Sequence, residues 1–139
     1  MNFYKNNITA VRGDTFSHVL EVEGLGQEFE SIYFTIRDSL NDDSNILVEK
    51  SLYNGISLVE EDLQKDIRKY MVRIDPNDTK DLQAGTYFYD EQVAVNGDAF
   101  TIMKGQFILQ QDASRKVAPP VNPYEWIDLY LDAINGEVI

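Results

Sequence analysis

Residues 87–109 read YFYDEQVAVNGDAFTIMKGQFIL, and this stretch decides the fold. Apolar and polar residues alternate through 87–95 and again from 100, which is the period of strands with one buried face. The Asn96-Gly97-Asp98 sequence between them is typical of the tight turn of a β-hairpin. The stretch therefore predicts two antiparallel strands, with a bulge at Gly105, where the apolar register changes.

The same alternation recurs in short runs on the amino-terminal side of this hairpin. It predicts strands near residues 16–22, 32–37, 46–52 and 68–75. The acidic stretch 60–66 is predicted to be a loop with at most one helical turn. About seven short strands without a long intervening helix indicate an all-β, antiparallel β-sandwich that occupies residues 1–113.

The remaining residues have a different pattern. Residues 114–122 include Pro119-Pro120 and predict a stiff, proline-rich spacer. Residues 123–136 predict a short amphipathic C-terminal α-helix, with Pro123 at its first position and Asn135-Gly136 at its end. Its apolar face, which we predict to bind a partner, contains Trp126, Leu129, Tyr130, Ala133 and Ile134. The alternative is that this helix folds back on its own sandwich.

Charge and composition exclude several classes of function. The formal net charge is −12, from 12 basic and 24 acidic residues, and such a field repels nucleic acid and anionic membrane surfaces. The chain has no cysteine, which excludes disulfides, thiolate metal sites and thiol nucleophiles. No apolar run follows the first residues, so we expect no signal peptide. No cofactor is predicted.

The candidate catalytic and metal-binding residues are few. His18 is the single histidine and lies on the inward stripe of its strand, so it has no second imidazole with which to build a metal site. No nucleophile motif surrounds any serine. Glu60 and Glu61 could supply paired carboxylates, but a solvated acidic face is the favoured interpretation. We therefore expect no catalytic residues, no metal site and no enzymatic activity.

Three further features have a specific and an ordinary interpretation. Arg12-Gly13-Asp14 is an integrin-binding tripeptide, but a turn between two strands is the favoured interpretation, since tripeptides recur by chance. The loop from Asp38 to Asn45 offers oxygen atoms to calcium but lacks the spacing of a known calcium loop. Glu91 falls on the inward face of its strand; we expect a bulge to turn it outward, the alternative being a pairing with Arg37 or Arg73.

Two sets of residues carry a resemblance to known families. The segment 81–89, DLQAGTYFY, resembles the tyrosine corner of immunoglobulin-like sandwiches, with Leu82, Gly85 and Tyr87 as the structural corner and Tyr89 where antibody domains carry a cysteine. The ordered set VRGDTF at 11–16, YFTIR at 33–37, VRIDP at 72–76 and VNGD at 95–98 resembles small proteins of phages and prophages of Gram-positive bacteria. It also resembles the amino-terminal β-sandwich of siphophage baseplate upper proteins.

This resemblance implies a function in assembly. It implies a non-catalytic structural or docking component of a phage or prophage particle, in the tail or baseplate, acting through protein–protein contacts. The implied partners are other virion proteins or copies of the chain itself, and the implied location is the virion after synthesis in the bacterial cytoplasm. The alternative is a ligand-binding β-sandwich that recognises cell-surface carbohydrate through exposed aromatic rings.

Overall fold

The computed structural model describes residues 4–39, 45–112, 127–132 and 137–138. Strands account for most of these residues, and the one described helix, α1, is a single turn at Pro76–Thr79. The strands are, in chain order, β1 (Tyr4–Lys5), β2 (Ile8–Val11), β3 (Phe16–Glu23), β4 (Ser31–Arg37), β5 (Ile46–Leu52), β6 (Gly55–Asp62), β7 (Ile67–Ile74), β8 (Gly85–Val95), β9 (Asp98–Gln110), β10 (Ile127–Asp132) and β11 (Glu137–Val138).

The strand order defines two layers. The first has the order β5–β4–β8–β9, with β1 and β2 running parallel to β9 along its edge, and the second has the order β6–β7–β3–β10–β11. The layers are joined at one margin, where Ser51 and Leu52 pair with Gly55 and Ile56. Read from β3 onwards, this is the strand order of an immunoglobulin domain, with β5 in the place of the C′ strand of variable-type domains. The fold is an immunoglobulin-like β-sandwich.

The β8–β9 hairpin confirms the prediction made from residues 87–109. Asn96 and Gly97 have φ angles of 54° and 79°, the left-handed values that a type I′ hairpin turn requires. The predicted position of the bulge is wrong. Gly105 pairs regularly with Tyr89, and the register shifts instead opposite Glu91 and Gln92, where Ile102 is the extra residue. Gly105 is required for another reason: a Cβ there would overlap the Asn6 carbonyl oxygen, which crosses directly over it.

The core lies between the two layers. It is filled by the side chains that point inward from every second residue of the strands. The Phe16 and Phe107 rings meet edge to face with centroids 6.1 Å apart, which joins β3 to β9 across the sandwich. Within the first sheet, Phe34 stacks on Tyr89 at 5.3 Å. Apolar side chains on both facing surfaces are thereby removed from water, which is the main stabilisation of a chain without disulfides.

Two predictions of local structure are wrong. The acidic stretch 60–66 is not all loop, because β6 continues through Asp62 and pairs with β7. Residues 127–132 of the predicted C-terminal helix form β10, which runs parallel to β3. In Ile127–Asp132 apolar residues also alternate with period two, and an extended segment can satisfy the backbone groups of the otherwise open β3 edge. The spacer at 114–122 lies outside the described residues.

Candidate functional site

The predicted structural corner is present at the start of β8. Tyr87 Oη donates a hydrogen bond to the Gln83 carbonyl oxygen at 2.6 Å, the bond that characterises a tyrosine corner. Leu82 is partly buried and packs against the core, whereas Gly85 has open space around its α-carbon. These residues fix the path of the chain into β8, which is a structural role.

The Arg12-Gly13-Asp14 turn is also held from within the domain. Arg12 donates from Nε and Nη2 to Asp112 Oδ1 at 2.9 and 2.7 Å. Gly13 has a φ of 80°, and its amide donates to Thr79 Oγ1 at 2.9 Å. Because the arginine is engaged on its own domain, the ordinary interpretation as a turn accounts for this tripeptide.

His18 and Glu91 form a pair inside the core. His18 Nε2 lies 2.6 Å from Glu91 Oε2, and both side chains are 0% exposed. The expectation that a bulge turns Glu91 outward is wrong, as is the alternative of an arginine partner, since the hydrogen bond is made to His18. Neither residue lines either of the two cavities described below. The pair has the components of an acid–base couple, but in the described part of the chain both side chains are fully enclosed by protein.

The exposed acidic residues of the β6–β7 hairpin are paired with cations. Arg68 donates to Glu61 at 2.9 Å and to Asp66 at 2.7 Å, and Lys69 lies 3.1 Å from Glu60. Burial lowers the pKa of Arg68, but the hydrogen bonds to Asp66 and Glu61 outweigh it, so that the pKa is raised. The hydrogen bond to Glu60, helped by Glu21, raises the pKa of Lys69. Glu60 and Glu61 therefore act as structural counter-charges.

The metal prediction is tested over only part of the chain. Within the described ranges, no three histidine, aspartate or glutamate side chains are grouped so as to hold a metal ion. Asn41, Asp42 and Asp43 of the predicted acidic loop lie outside those ranges. Over the same ranges, no helix has both the length and the apolar character needed to cross a bilayer.

A pocket of about 480 Å³ opens on the first sheet, where β1, β4, β8 and β9 come together. We call it the cationic pocket, because three basic side chains and one acidic side chain line it. Period-two alternation places Phe88 and Asp90 on the sheet face opposite the buried Tyr89 and Glu91, so the pocket lies on the outer face. Its lining residues include Lys5, Asn7, Arg37, Phe88, Asp90, Lys104 and Gln106.

A second, smaller depression of about 280 Å³ lies beside the turn that joins the two layers. Tyr33 and Tyr53 line it and are 44% and 72% exposed. Tyr53 Oη donates to Glu28 at 2.9 Å, and this hydrogen bond to a carboxylate raises the pKa of the tyrosine. The geometry presents two aromatic rings to solvent, one of them held in place by the hydrogen bond.

Five large apolar side chains of the described chain are exposed, and two of them, Tyr33 and Tyr53, line the same depression. Ile46 lies at the other end of β5, opposite Arg37, and Val59 and Leu63 belong to β6 and the turn that follows it. We call the surface formed by Tyr33 and Tyr53 the tyrosine margin. Among the residues that the structure describes, pairing on the side of β5 away from β4 involves only Ser51 and Leu52. The margin thus combines apolar side chains with a strand edge.

The predicted partner-binding residues of the tail are only partly placed. Trp126, Ala133 and Ile134 lie outside the described residues. Leu129 and Tyr130 lie in β10, paired in register with Leu20 and Glu21 of β3. The prediction of one helical face shared by all five is therefore wrong for these two, because an extended backbone cannot present residues with helical spacing on one face.

The sequence did not predict the cationic pocket or the His18–Glu91 pair. The pocket residues come from three regions that are distant in sequence, near β1, near β4 and in the β8–β9 hairpin, and the sheet order brings them together. The buried pair did leave a signal, since His18 and Glu91 are polar residues within otherwise apolar inward stripes. Two polar residues on inward faces are expected to pair with each other, so considering His18 and Glu91 together would have predicted their contact.

Comparison with known proteins gives a limited result. No family model and no curated protein matches the chain. Among solved structures, the chain is similar to one from a photo-crosslinking study of cell-adhesive interactions of VGSC β subunits. The identity is 17% and the TM-score 0.33, over 79% of this chain and 93% of that one. It is also similar to a parallel homodimer of the extracellular domain of the voltage-gated sodium channel β4 subunit, with 21% identity and a TM-score of 0.29, over 83% and 92% of the two chains. The fold assignment above rests on strand order.

Proposed function

We propose that this chain is a non-catalytic docking module that acts through protein–protein contacts. The observation that carries the proposal is the tyrosine margin, where two exposed tyrosine rings line one depression at the end of β5, beside the edge of that strand. Exposed aromatic residues are enriched at the centres of protein interfaces, and an open strand edge can accept a strand from another chain. A non-catalytic role is supported by the complete burial of the His18–Glu91 pair.

We further propose that the module belongs to a phage or prophage particle, in the tail or baseplate, and contacts other virion proteins or copies of itself. Support for this comes from the ordered set of resembling segments at residues 11–16, 33–37, 72–76 and 95–98. The genes beside the coding sequence test it directly. Portal, tail or lysis genes alongside are the expected result, and a neighbourhood of unrelated metabolic genes would contradict a virion role.

The docking proposal is tested by the double substitution Tyr33→Ser and Tyr53→Ser. We expect it to reduce self-association, measured by sedimentation over a range of concentrations, or to reduce incorporation into particles, measured by mass spectrometry. Leu63→Ser is a matched control, because Leu63 is 71% exposed but lies away from the margin. Equal behaviour of wild type, double variant and control in both assays would refute docking through this margin.

A second candidate function is the binding of cell-surface carbohydrate. The observation that favours it is the 280 Å³ depression, in which the Tyr33 and Tyr53 rings are accompanied by Glu28, Glu30 and Ser31. Aromatic faces and carboxylates are suitable contacts for sugars. Titration calorimetry with cell-wall oligosaccharides separates the docking function from carbohydrate binding. A monomeric protein that binds sugar through these tyrosines supports carbohydrate binding and excludes self-association.

A further inference from the structure

The depression of the tyrosine margin combines aromatic rings with negative charge. Among the described residues that line it, Glu28 and Glu30 carry the only charges, and Tyr33 and Tyr53 contribute the exposed rings. Its volume of about 280 Å³ is smaller than that of pockets that enclose a whole drug-sized ligand. The size and composition therefore suit one long side chain with a positive charge at its end.

The two carboxylates are placed by a buried aromatic residue between them. Phe29 is 2% exposed, its ring lies 5.5 Å from that of Tyr70, and its amide donates to Tyr70 Oη at 3.0 Å. Glu28 and Glu30 on either side of this anchor are exposed. The Glu30 amide also donates to the Ala94 carbonyl oxygen at 2.8 Å. The short sequence Glu-Phe-Glu thus holds two carboxylates at the surface from a fixed backbone.

Neither carboxylate is neutralised by a cation in the described part of the chain. Glu28 accepts a hydrogen bond from Tyr53 Oη at 2.9 Å, and Glu30 accepts one at 3.0 Å from an amide of the β8–β9 turn. Both donors are uncharged, and none of the ion pairs between described residues includes either glutamate. Lys50, which lies on β5 directly before the depression, is 2.9 Å from Asp78. The depression therefore keeps two negative charges for a ligand.

The Tyr53 ring is held in place before any ligand binds. Its φ is 68°, a left-handed value that a tyrosine rarely adopts, and its amide donates to the Ile56 carbonyl oxygen at 2.6 Å. The hydrogen bond to Glu28 is the largest cause of the raised pKa of Tyr53, and the negative charges of Glu28 and Glu61 contribute to it. A ring fixed in this way loses less entropy on binding, and the negative potential around it attracts a cation.

We propose that this depression binds a lysine or arginine side chain of a partner protein, with Glu28 and Glu30 as its counter-charges and the rings of Tyr33 and Tyr53 beside it. This names the partner chemistry of the docking function proposed above and rests on it. A cation over the face of a tyrosine ring is attracted by the ring as well as by the carboxylates. A neutral sugar uses the rings but not the two charges.

The net charge of the chain favours a partner other than a second copy. Two copies that each carry a charge of −12 repel each other overall, whereas a basic segment of a different protein is attracted. The inferred partner therefore presents an exposed lysine or arginine on a surface or segment of positive charge.

The test titrates the isotope-labelled full chain with the peptide acetyl-Gly-Gly-Arg-Gly-Gly-amide and follows the amide chemical shifts by NMR. A single arginine is used because the acidic surface attracts a polycation everywhere. We expect saturable shifts that are largest around the tyrosine margin and binding that weakens as salt is added. The matched peptide contains citrulline, which has the shape of arginine without its charge, and is expected to bind about fivefold more weakly.

Glu28→Gln and Glu30→Gln each remove one charge and keep an oxygen that accepts the existing hydrogen bond. Each is expected to weaken binding about threefold, as is Tyr53→Leu, which removes the aromatic face. Asp81→Asn removes the same charge from an exposed position outside the depression and is expected to leave binding unchanged. The spectrum of each free variant shows whether it is folded, and the two glutamates give two independent readings.

Several outcomes overturn the proposal. An arginine peptide that causes no saturable shifts, or a citrulline peptide that binds as tightly, shows that the depression does not recognise a cation. Equal weakening by Asp81→Asn and Glu30→Gln indicates attraction by the whole acidic surface, and shifts at the margin with a cell-wall oligosaccharide alone indicate a carbohydrate site. The docking function is measured separately with the double variant Tyr33→Ser and Tyr53→Ser. It stands if the arginine peptide fails while that variant still loses association or incorporation.

Discussion

His18 Nε2 and Glu91 Oε2 meet at 2.6 Å in the centre of the sandwich and connect β3 of one layer with β8 of the other. In antibody domains the equivalent two strands are linked by a disulfide. Here a hydrogen-bonded polar pair joins them in a chain that has no cysteine. Glu91 Oε1 is buried and accepts no hydrogen bond within the described part of the chain, so the pair is desolvated and incompletely satisfied.

Single substitutions and an apolar double substitution test the energetic role of this pair. We expect Glu91→Ala or His18→Ala alone to reduce the free energy of unfolding by about 3–5 kcal/mol, because each breaks a fully buried hydrogen-bonded pair and leaves the other polar group in the core. The double variant His18→Leu with Glu91→Met restores much of that loss by apolar packing. Urea denaturation monitored by circular dichroism measures both. Single variants as stable as the wild type would contradict the interpretation.

Gly105 is expected to be irreplaceable in β9. Gly105→Ala pushes the Asn6 carbonyl away and is expected to cost about 1–3 kcal/mol, as overpacking does. Gly85→Ala is the matched control, because a Cβ at Gly85 meets nothing within 4 Å and its φ is not positive. The measurement is the thermal unfolding temperature of each variant, compared with that of the wild type. A Gly105→Ala protein as stable as Gly85→Ala would show that the β1–β2 connection is not fixed there.

Tyr70 predicts how stability changes at alkaline pH. Burial raises the pKa of Tyr70 above its usual value of 10.0, and its Oη accepts a hydrogen bond from the Phe29 amide at 3.0 Å. The folded state therefore holds this proton more tightly than the unfolded chain, so the contribution is complete below about pH 10 and is lost as the pH rises through the folded value. Tyr70→Phe is expected to cost about 1–3 kcal/mol at neutral pH and to flatten the alkaline decline. The measurement is the urea midpoint of the wild type and of Tyr70→Phe from pH 7 to pH 11. If the midpoint falls equally steeply with pH in both proteins, Tyr70 is not responsible for the alkaline loss of stability.

The tyrosine corner predicts a small, local effect. Tyr87→Phe removes the hydrogen bond to the Gln83 carbonyl, which lies near the surface, and is expected to cost about 0.5–1.5 kcal/mol. Chemical denaturation measures it, with Tyr53→Phe as a control in which an exposed tyrosine loses a hydrogen bond to a side chain. A loss equal to that of the control would mean that the corner contributes no more than a surface contact.

Removal of residues 113–139 tests the role of β10. Without β10, β3 keeps its pairing with β7 but loses the partner on its other side, over the six residue pairs from His18 to Glu23, and becomes an open edge. We expect the truncated protein to unfold at lower temperature and to self-associate more than the full chain. Scanning calorimetry and sedimentation measure the two effects. A truncated monomer with unchanged stability would indicate that the tail does not belong to the sandwich and would favour the prediction that it binds a partner.

The sequence by itself determined the sandwich, because the signals for strands and hairpins are local. Period-two alternation assigned the inward stripes, and Asn96-Gly97 fixed the hairpin turn, since few residues accept its left-handed backbone angles. Only the tertiary structure decided that His18 meets Glu91, that Lys5 meets Lys104, and that residues 127–132 are extended. Each of these depends on which strand lies beside or across from another. The free energy of such contacts depends on residues that are distant in sequence, so no short segment of the chain reveals it. The tail shows the reason most clearly: its residues fit both periods, and an open edge on β3 favours the strand.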